Sequence, residues 1–228
     1  MILSKFAIKK KKSGFTIIEL MIATTIFSLV LMICLAGILQ ITKMYYRSVT
    51  QNNTRETARS ITDEIGEAIR FSSQTILLGP AVAGPQINDT SGTTADTGYF
   101  CIGNKRYTYA IDRQVKPQPT VNSKQKKHAL WVDTLGICTG PAILTDNTPS
   151  VGGRDLVPEN MRLYELSITN PGANNDIFEI SVGVAYGDND LLSPRPLSSP
   201  TELTCETAFA GSEFCATTNL RVTVQKRL

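Results

Sequence analysis

Glu19 is the only charged side chain between Phe15 and Lys43. The surrounding order is Lys9-Lys10-Lys11-Lys12-Ser13-Gly14-Phe15-Thr16-Ile17-Ile18-Glu19-Leu20: a run of lysines, a glycine, then a long apolar stretch with one acid near its start. A lone acid at the centre of a membrane helix costs roughly 2.5–3.5 kcal/mol. A simple anchor has no use for such a residue, so Glu19 calls for a positively charged partner met inside the membrane, which is a chemistry of assembly. The bland alternative is a carboxylate that snorkels to the headgroups from the end of the span.

The element that must position Glu19 is the segment Leu20 to Ile41, apolar apart from Thr24, Thr25, Ser28 and Gln40. As a helix it is about 33 Å long at 1.5 Å per residue, close to the bilayer hydrocarbon thickness of roughly 30 Å. Lysines precede it and no comparable cluster follows, so the positive-inside rule places the leader in the cytoplasm and the chain after Tyr46 outside. A cleaved secretory signal would have a shorter apolar core ending in a small-x-small site. A plain uncleaved anchor leaves Glu19 unexplained.

The 228-residue chain has a formal charge of +3, and that charge misleads. Lys5 and Lys9 to Lys12 supply five of the 23 basic residues; without them 18 face 20 acids, a balance of −2. The body is therefore not a basic nucleic-acid binder, and nucleic acid is not expected as its direct partner. The residues beyond the apolar segment are numerous enough for one globular domain with its own core.

From Phe15 to Phe71 there is no proline, and the only glycines are Gly37 and Gly66. Beyond the apolar part, Ala58, Ile61, Ile65, Ala68 and Ile69 recur in steps of three and four, the mark of an amphipathic helix. One helix of about 55 residues is expected from this continuity, with two helices broken between Tyr46 and Asn53 as the alternative. Strand signals follow. Tyr99–Ile102 and Tyr107–Ile111 flank Gly103-Asn104-Lys105-Arg106 as a hairpin, and Ala129–Val132, Arg162–Thr169 and Ile177–Tyr186 follow, with a last strand through Leu220, Val222 and Val224. Ile76-Leu77-Leu78 marks a short strand before a loop over Gly79–Gly98. Lys116–Lys127 and Leu191–Gly211 read as loops, and Asn170-Pro171-Gly172-Ala173-Asn174 as a turn. The fold class is α+β: a long N-terminal helix packed on a mostly antiparallel sheet. The divisions are 1–14 as a basic leader, 15–45 as the apolar helix, 46–71 as its amphipathic continuation and 72–228 as a β-rich body.

Cys34 lies in the apolar segment and is expected to pack as a small hydrophobe. Cys101, Cys138, Cys205 and Cys215 fall in the exported part, where an oxidising compartment favours bridges. Four cysteines permit three connectivities; Cys101–Cys138 and Cys205–Cys215 are the expected ones, because each pair brackets a local strand-and-loop unit. No metal site is expected, since no Cys-x-x-Cys pair exists and His128 is the only histidine. His128, beside Lys126 and Lys127, reads as a surface residue. Asp188-Asn189-Asp190 resembles part of a calcium loop and reads as a solvated turn. Asn52-Asn53-Thr54 and Asn88-Asp89-Thr90 match a glycosylation triplet that often arises by chance. Neither a nucleophile–base set nor a phosphate loop is visible, so no enzymatic activity and no cofactor are expected.

The stretch Lys12-Ser13-Gly14-Phe15-Thr16-Ile17-Ile18-Glu19-Leu20-Met21-Ile22-Ala23 resembles the N-terminus of the type IV pilin and pseudopilin superfamily: basic leader, glycine, phenylalanine, and glutamate five places after the glycine. The close resemblance covers about residues 9–45, and the size and distal cysteines of the body look most like the larger minor subunits. The resemblance implies a membrane prepilin peptidase that cuts after Gly14 and methylates the Phe15 amine, and an inner-membrane assembly platform. It also implies that Glu19 faces the Phe15 amine of a neighbouring subunit in a filament. An ammonium and a carboxylate meeting in an apolar medium offset each other's desolvation, and only certain axial offsets bring them together. Ala23, Ala36 and Gly37 permit close helix approach. With no proline in the apolar half, Gly37 is the one candidate for a flexible point. The functions to be weighed are a structural filament subunit, a ligand-binding or adhesive module at a filament tip, and a membrane-anchored protein with no filament role.

Overall fold

The computed structural model describes residues 14–73, 77–78, 98–112, 114–115, 128–134, 140–142, 152–171, 176–193, 203–206 and 211–227. The chain divides into two compact units, one ending at Met44 and the other beginning at Tyr45. A single helix, α1, runs unbroken from Ile17 to Phe71, 55 residues in all. It passes through Tyr46–Asn53 without interruption, so the two-helix alternative does not describe the chain, and Gly37 lies within continuous helix. The reason is local: the segment holds no proline to remove an amide donor, and one interior glycine does not outweigh its helix-forming neighbours.

In the first unit every described residue is exposed. In the second unit α1 buries a stripe of Thr50, Thr54, Ala58, Ile61, Ile65 and Ile69, spaced almost uniformly by four. Thr54 and Thr62 are buried yet satisfied, because their hydroxyls donate to the carbonyls of Thr50 (2.8 Å) and Ala58 (2.7 Å). At the end of α1 the Arg70 carbonyl accepts from the Arg227 amide at 3.2 Å, so the C-terminal tail caps one of the carbonyls a helix leaves orphaned.

The strands form two principal antiparallel sheets, which divides the single sheet expected from the sequence. The first has the order β1-β2-β3-β4-β5: β1 Leu77–Leu78, β2 Gly98–Ile102, β3 Lys105–Tyr109, β4 Leu130–Thr134 and β5 Arg154–Asp155. The second has the order β10-β7-β6: β6 Met161–Thr169, β7 Ile177–Tyr186 and β10 Ala216–Gln225. A small pair, β8 Leu192–Ser193 with β9 Thr204–Cys205, lies within the stretch read as loop. β5, β8 and β9 are two residues long, too short to carry a periodic signal. The β2–β3 turn is tighter than expected: Ile102 pairs with Lys105, leaving only Gly103-Asn104 between strands. Gly103 has φ +62°, which glycine adopts without steric cost and which a two-residue hairpin turn requires. Of the expected loops and turns, 79–97, 116–127, 172–175, 194–202 and 207–210 lie outside the described residues.

Both sheets contribute to one core around the second part of α1. Phe178, Ile180, Val182 and Val184 of β7 are buried at alternate positions, and Phe100 and Tyr107 stack at 4.8 Å across the β2–β3 pair. Gly66 packs close to side chains of β10 and β7: a Cβ there would lie 3.3 Å from Val224 Cγ2 and 3.9 Å from Ile180 Cδ1. That close approach offsets the roughly 1 kcal/mol a mid-helix glycine costs relative to alanine. The other face of β7 is covered at Ser181, Gly183 and Ala185 and open at Ile177. The Tyr164 ring lies over Gly183, and a β-bulge falls between Leu163 and Glu165, next to it.

Glu64 ties the helix to the first sheet, paired with Lys105 of β3 at 2.8 Å and with Arg154 of β5. Burial alone would raise its pKa, but the hydrogen bond and charge of Lys105, with Arg154 behind them, outweigh burial and hold the carboxyl below its ordinary value. Its folded-state pKa is therefore lower than its unfolded one, so its contribution to stability is present above about 4.5 and is lost as pH falls below that value. Glu64→Gln should lower the urea midpoint at neutral pH, and the gap from the wild type should close in acid. A gap that stays constant with pH would contradict this.

A candidate processing and assembly site

Helix α1 starts at a reciprocal cap. Thr16 is the last residue before the helix, and Glu19 is its third helical position. The Glu19 carboxylate (Oε2) accepts from the Thr16 backbone amide at 2.9 Å and from its hydroxyl at 2.7 Å. The Glu19 amide donates back to Thr16 Oγ1 at 3.3 Å. This is a capping box, in which a Thr-x-x-Glu pattern satisfies two otherwise orphaned backbone amides. It was readable in Thr16-Ile17-Ile18-Glu19, and reading Glu19 only as a charge in search of a cation misses it. In the single chain Glu19 already has hydrogen-bonding partners, and a cationic partner would compete with or add to them.

Gly14 and Phe15 precede the cap in extended, non-helical chain. Among the described residues, and its chain neighbours aside, no atom lies within 4 Å of where a Gly14 side chain would begin, and Phe15 is 78% exposed. Among the described residues nothing packs against the bond between them.

The apolar segment is built for a medium without water. Ile17, Ile22, Phe27, Leu31, Leu35 and Leu39 are all exposed. A window of α1 has mean hydropathy 2.5 with none of it buried. Each of its hydroxyls is consumed by the helix's own backbone: Thr24 donates to Met21 O (3.0 Å), Thr25 to Ile22 O (2.8 Å) and Ser28 to Thr24 O (2.8 Å). No hydroxyl in the span is left to be hydrated, which a hydrocarbon environment requires. Cys34 is a free, exposed thiol on this segment.

A prokaryotic N-terminal methylation motif occupies residues 9–35. The family model of that description covers the end of the lysine run, Gly14, Phe15, Glu19 and the apolar helix as far as Leu35. No curated protein and no solved structure matches the chain. The methylation motif supports a type IV pilin-like N-terminus, and with the apolar helix it fits membrane anchoring. The motif belongs to a family of structural rather than enzymatic proteins.

The remaining sequence-derived residues sit apart from the methylation motif. Cys205 and Cys215 are disulfide-bonded, with Cα atoms 5.8 Å apart. Cys101 is also disulfide-bonded, while Cys138 lies outside the described residues. His128 is not a surface residue: it is 2% exposed, its Nδ1 lies 2.7 Å from Asp155 Oδ2, and its ring meets Trp131 edge-on at 4.8 Å. Two lysines before it suggested solvent, but β5 supplies a carboxylate from 27 residues away, which no local pattern announces. Asp188 accepts from Gln114 Nε2 at 3.2 Å, and among the described residues no three potential metal ligands converge.

Two further polar groupings escaped sequence reading. Arg106 makes a two-pronged pair with Asp133 (2.9 and 2.6 Å) and donates to the Gly140 carbonyl at 3.1 Å. On the second sheet Glu165 is buried and accepts from Ser181 at 2.6 Å and from Asn219. Both groupings join strands distant in sequence, and both are fully explained as structural.

Proposed function

We propose that this chain is a minor pilin or pseudopilin: a structural subunit of a type IV pilus or a related secretion or uptake filament. A prepilin peptidase cuts it after Gly14 and methylates the Phe15 amine. The mature chain then resides in the membrane by Leu20–Ile41, with the leader cytoplasmic and the β-rich body outside, until an inner-membrane platform assembles it with other pilins. The observation that carries this reading is the conjunction of the methylation motif at residues 9–35 with an exposed apolar helix whose single acid, Glu19, sits at the helix start.

Mass spectrometry of the chain from cells with an active prepilin peptidase should find N-methyl-Phe15 as the first residue; intact Met1 would refute the reading. The substitution Glu19→Gln separates the two roles of the acid. Glutamine serves the capping box as glutamate does, so the helix start is kept while the charge is lost. Processing should continue, and incorporation into filaments should fall sharply. Filaments of unchanged number and composition would favour a plain membrane anchor.

A further inference from the structure

The disulfide Cys205–Cys215 closes a loop whose last turn, Ser212–Phe214, is a short 3-10 turn. That turn is held by amide donations from Phe214 to Gly211 O (2.9 Å) and from Cys215 to Ser212 O (3.2 Å). Leu192, Leu203 and Cys215 around it are buried in a small core with Tyr164 and Ala185. Phe214, the largest apolar side chain of the turn, is left out of that core at 43% exposed. It packs instead on Tyr46, with ring centroids 5.3 Å apart, and Tyr46 in turn meets Tyr45 at 5.9 Å. Tyr45 is 64% exposed and Tyr46 45%. Three partly exposed aromatic rings thus stand in series, Tyr45 on Tyr46 and Tyr46 on Phe214.

Tyr45 and Tyr46 come four and five residues after Ile41, where the apolar segment ends. At 1.5 Å per residue that is about 6–8 Å of helix, the depth of a headgroup layer beyond the hydrocarbon. Tyrosine concentrates in this layer because its ring is apolar and its hydroxyl wet. Arg47, exposed on the next position of the helix, can lay its stem along the same apolar surface and extend its guanidinium to lipid phosphates.

We propose that Tyr45, Tyr46 and Phe214, with Arg47, form a lipid-interface seat by which the Ser212–Phe214 turn rests in the outer headgroup layer. The proposal rests on Leu20–Ile41 crossing the bilayer. Phe214 supplies what a helix alone cannot: a contact with the interface made by the Ser212–Phe214 turn beside Tyr46.

The test reconstitutes the full-length chain in phosphatidylcholine vesicles carrying nitroxide-labelled lipids. Trp131 is the only native tryptophan and is 7% exposed, so its signal serves as a background that the wild type measures. In Phe214→Trp the added emission should be blue-shifted, and most of it should be lost with headgroup-proximal nitroxides and less with nitroxides deep in the acyl chains. The effect should persist when excess lipid dilutes the protein. Tyr46→Trp should report the same depth, which covers the case that Phe214→Trp misfolds. Met32→Trp reports the span itself and should be quenched by the deep label. If Met32→Trp is quenched while Trp at 214 and 46 is quenched by aqueous iodide and not by lipid, the seat is overturned and the anchor stands. If Met32→Trp is not quenched, anchor and seat fall together. Quenching at 214 that vanishes on dilution with lipid means that another protein copy covers the rings, which also overturns the proposal.

Discussion

Gly14→Val should leave the precursor uncut, fourteen residues longer at its N-terminus than the mature chain, and absent from filaments. The structure makes this a clean experiment. Among the described residues no neighbour crowds Gly14, and its backbone does not occupy the left-handed region reserved to glycine, so a side chain there meets no described part of the subunit. Helix α1 begins only at Ile17, behind the Thr16–Glu19 cap, and is untouched. On the proposed function, a loss would then arise where the chain meets the peptidase, whose cleft has to accept the residue before the cut. Immunoblotting of membranes for precursor and mature forms gives the result directly, and the purified variant should match the wild-type precursor in helix content and thermal unfolding. Efficient cutting of Gly14→Val would remove the reason for assigning the cleavage to this bond.

Asp133→Ala should destabilise the body by about 3–5 kcal/mol, the cost of leaving a buried charge without its partner. Arg106 is 8% exposed, and Asp133 provides both oxygens of its fork. Removing the acid leaves a guanidinium that cannot neutralise itself, since arginine stays protonated at any accessible pH. The Gly140 carbonyl would remain as an acceptor for it, which is too little. Against a total stability of about 5–15 kcal/mol such a loss is severe. The double variant Arg106→Met with Asp133→Leu should recover most of it, because replacing both charges by packed apolar groups removes the desolvation cost together with the attraction. Urea midpoints of the three chains decide the matter. A single variant within about 1 kcal/mol of the wild type would mean that the pair is hydrated like a surface ion pair.

The sequence by itself determined the methylation motif and the helical course of residues 17–71. A lysine run, Gly14, Phe15, Glu19 and an unbroken apolar stretch are local facts, and helices are made of local hydrogen bonds, so the continuity of α1 followed from the absence of proline and the spacing of Ala58, Ile61, Ile65 and Ile69. The main strands of β2, β3, β4, β6 and β7 were also legible, because alternation and turn residues act over a few positions. The division into two sheets was not legible, since pairing of β10 with β7 rather than with a sequence neighbour is decided by which faces bury together against α1. The fate of the polar residues was hidden for the same reason. His128 is buried because Asp155 reaches it, Arg106 because Asp133 does, and Glu165 because Ser181 and Asn219 come from two other strands. A buried charge is tolerated only where its partner arrives, and that partner is fixed by strand register rather than by sequence spacing. The aromatic seat is of this kind too: Tyr46 and Phe214 stand 168 positions apart in the chain, and only the folded body with its Cys205–Cys215 bridge brings their rings together.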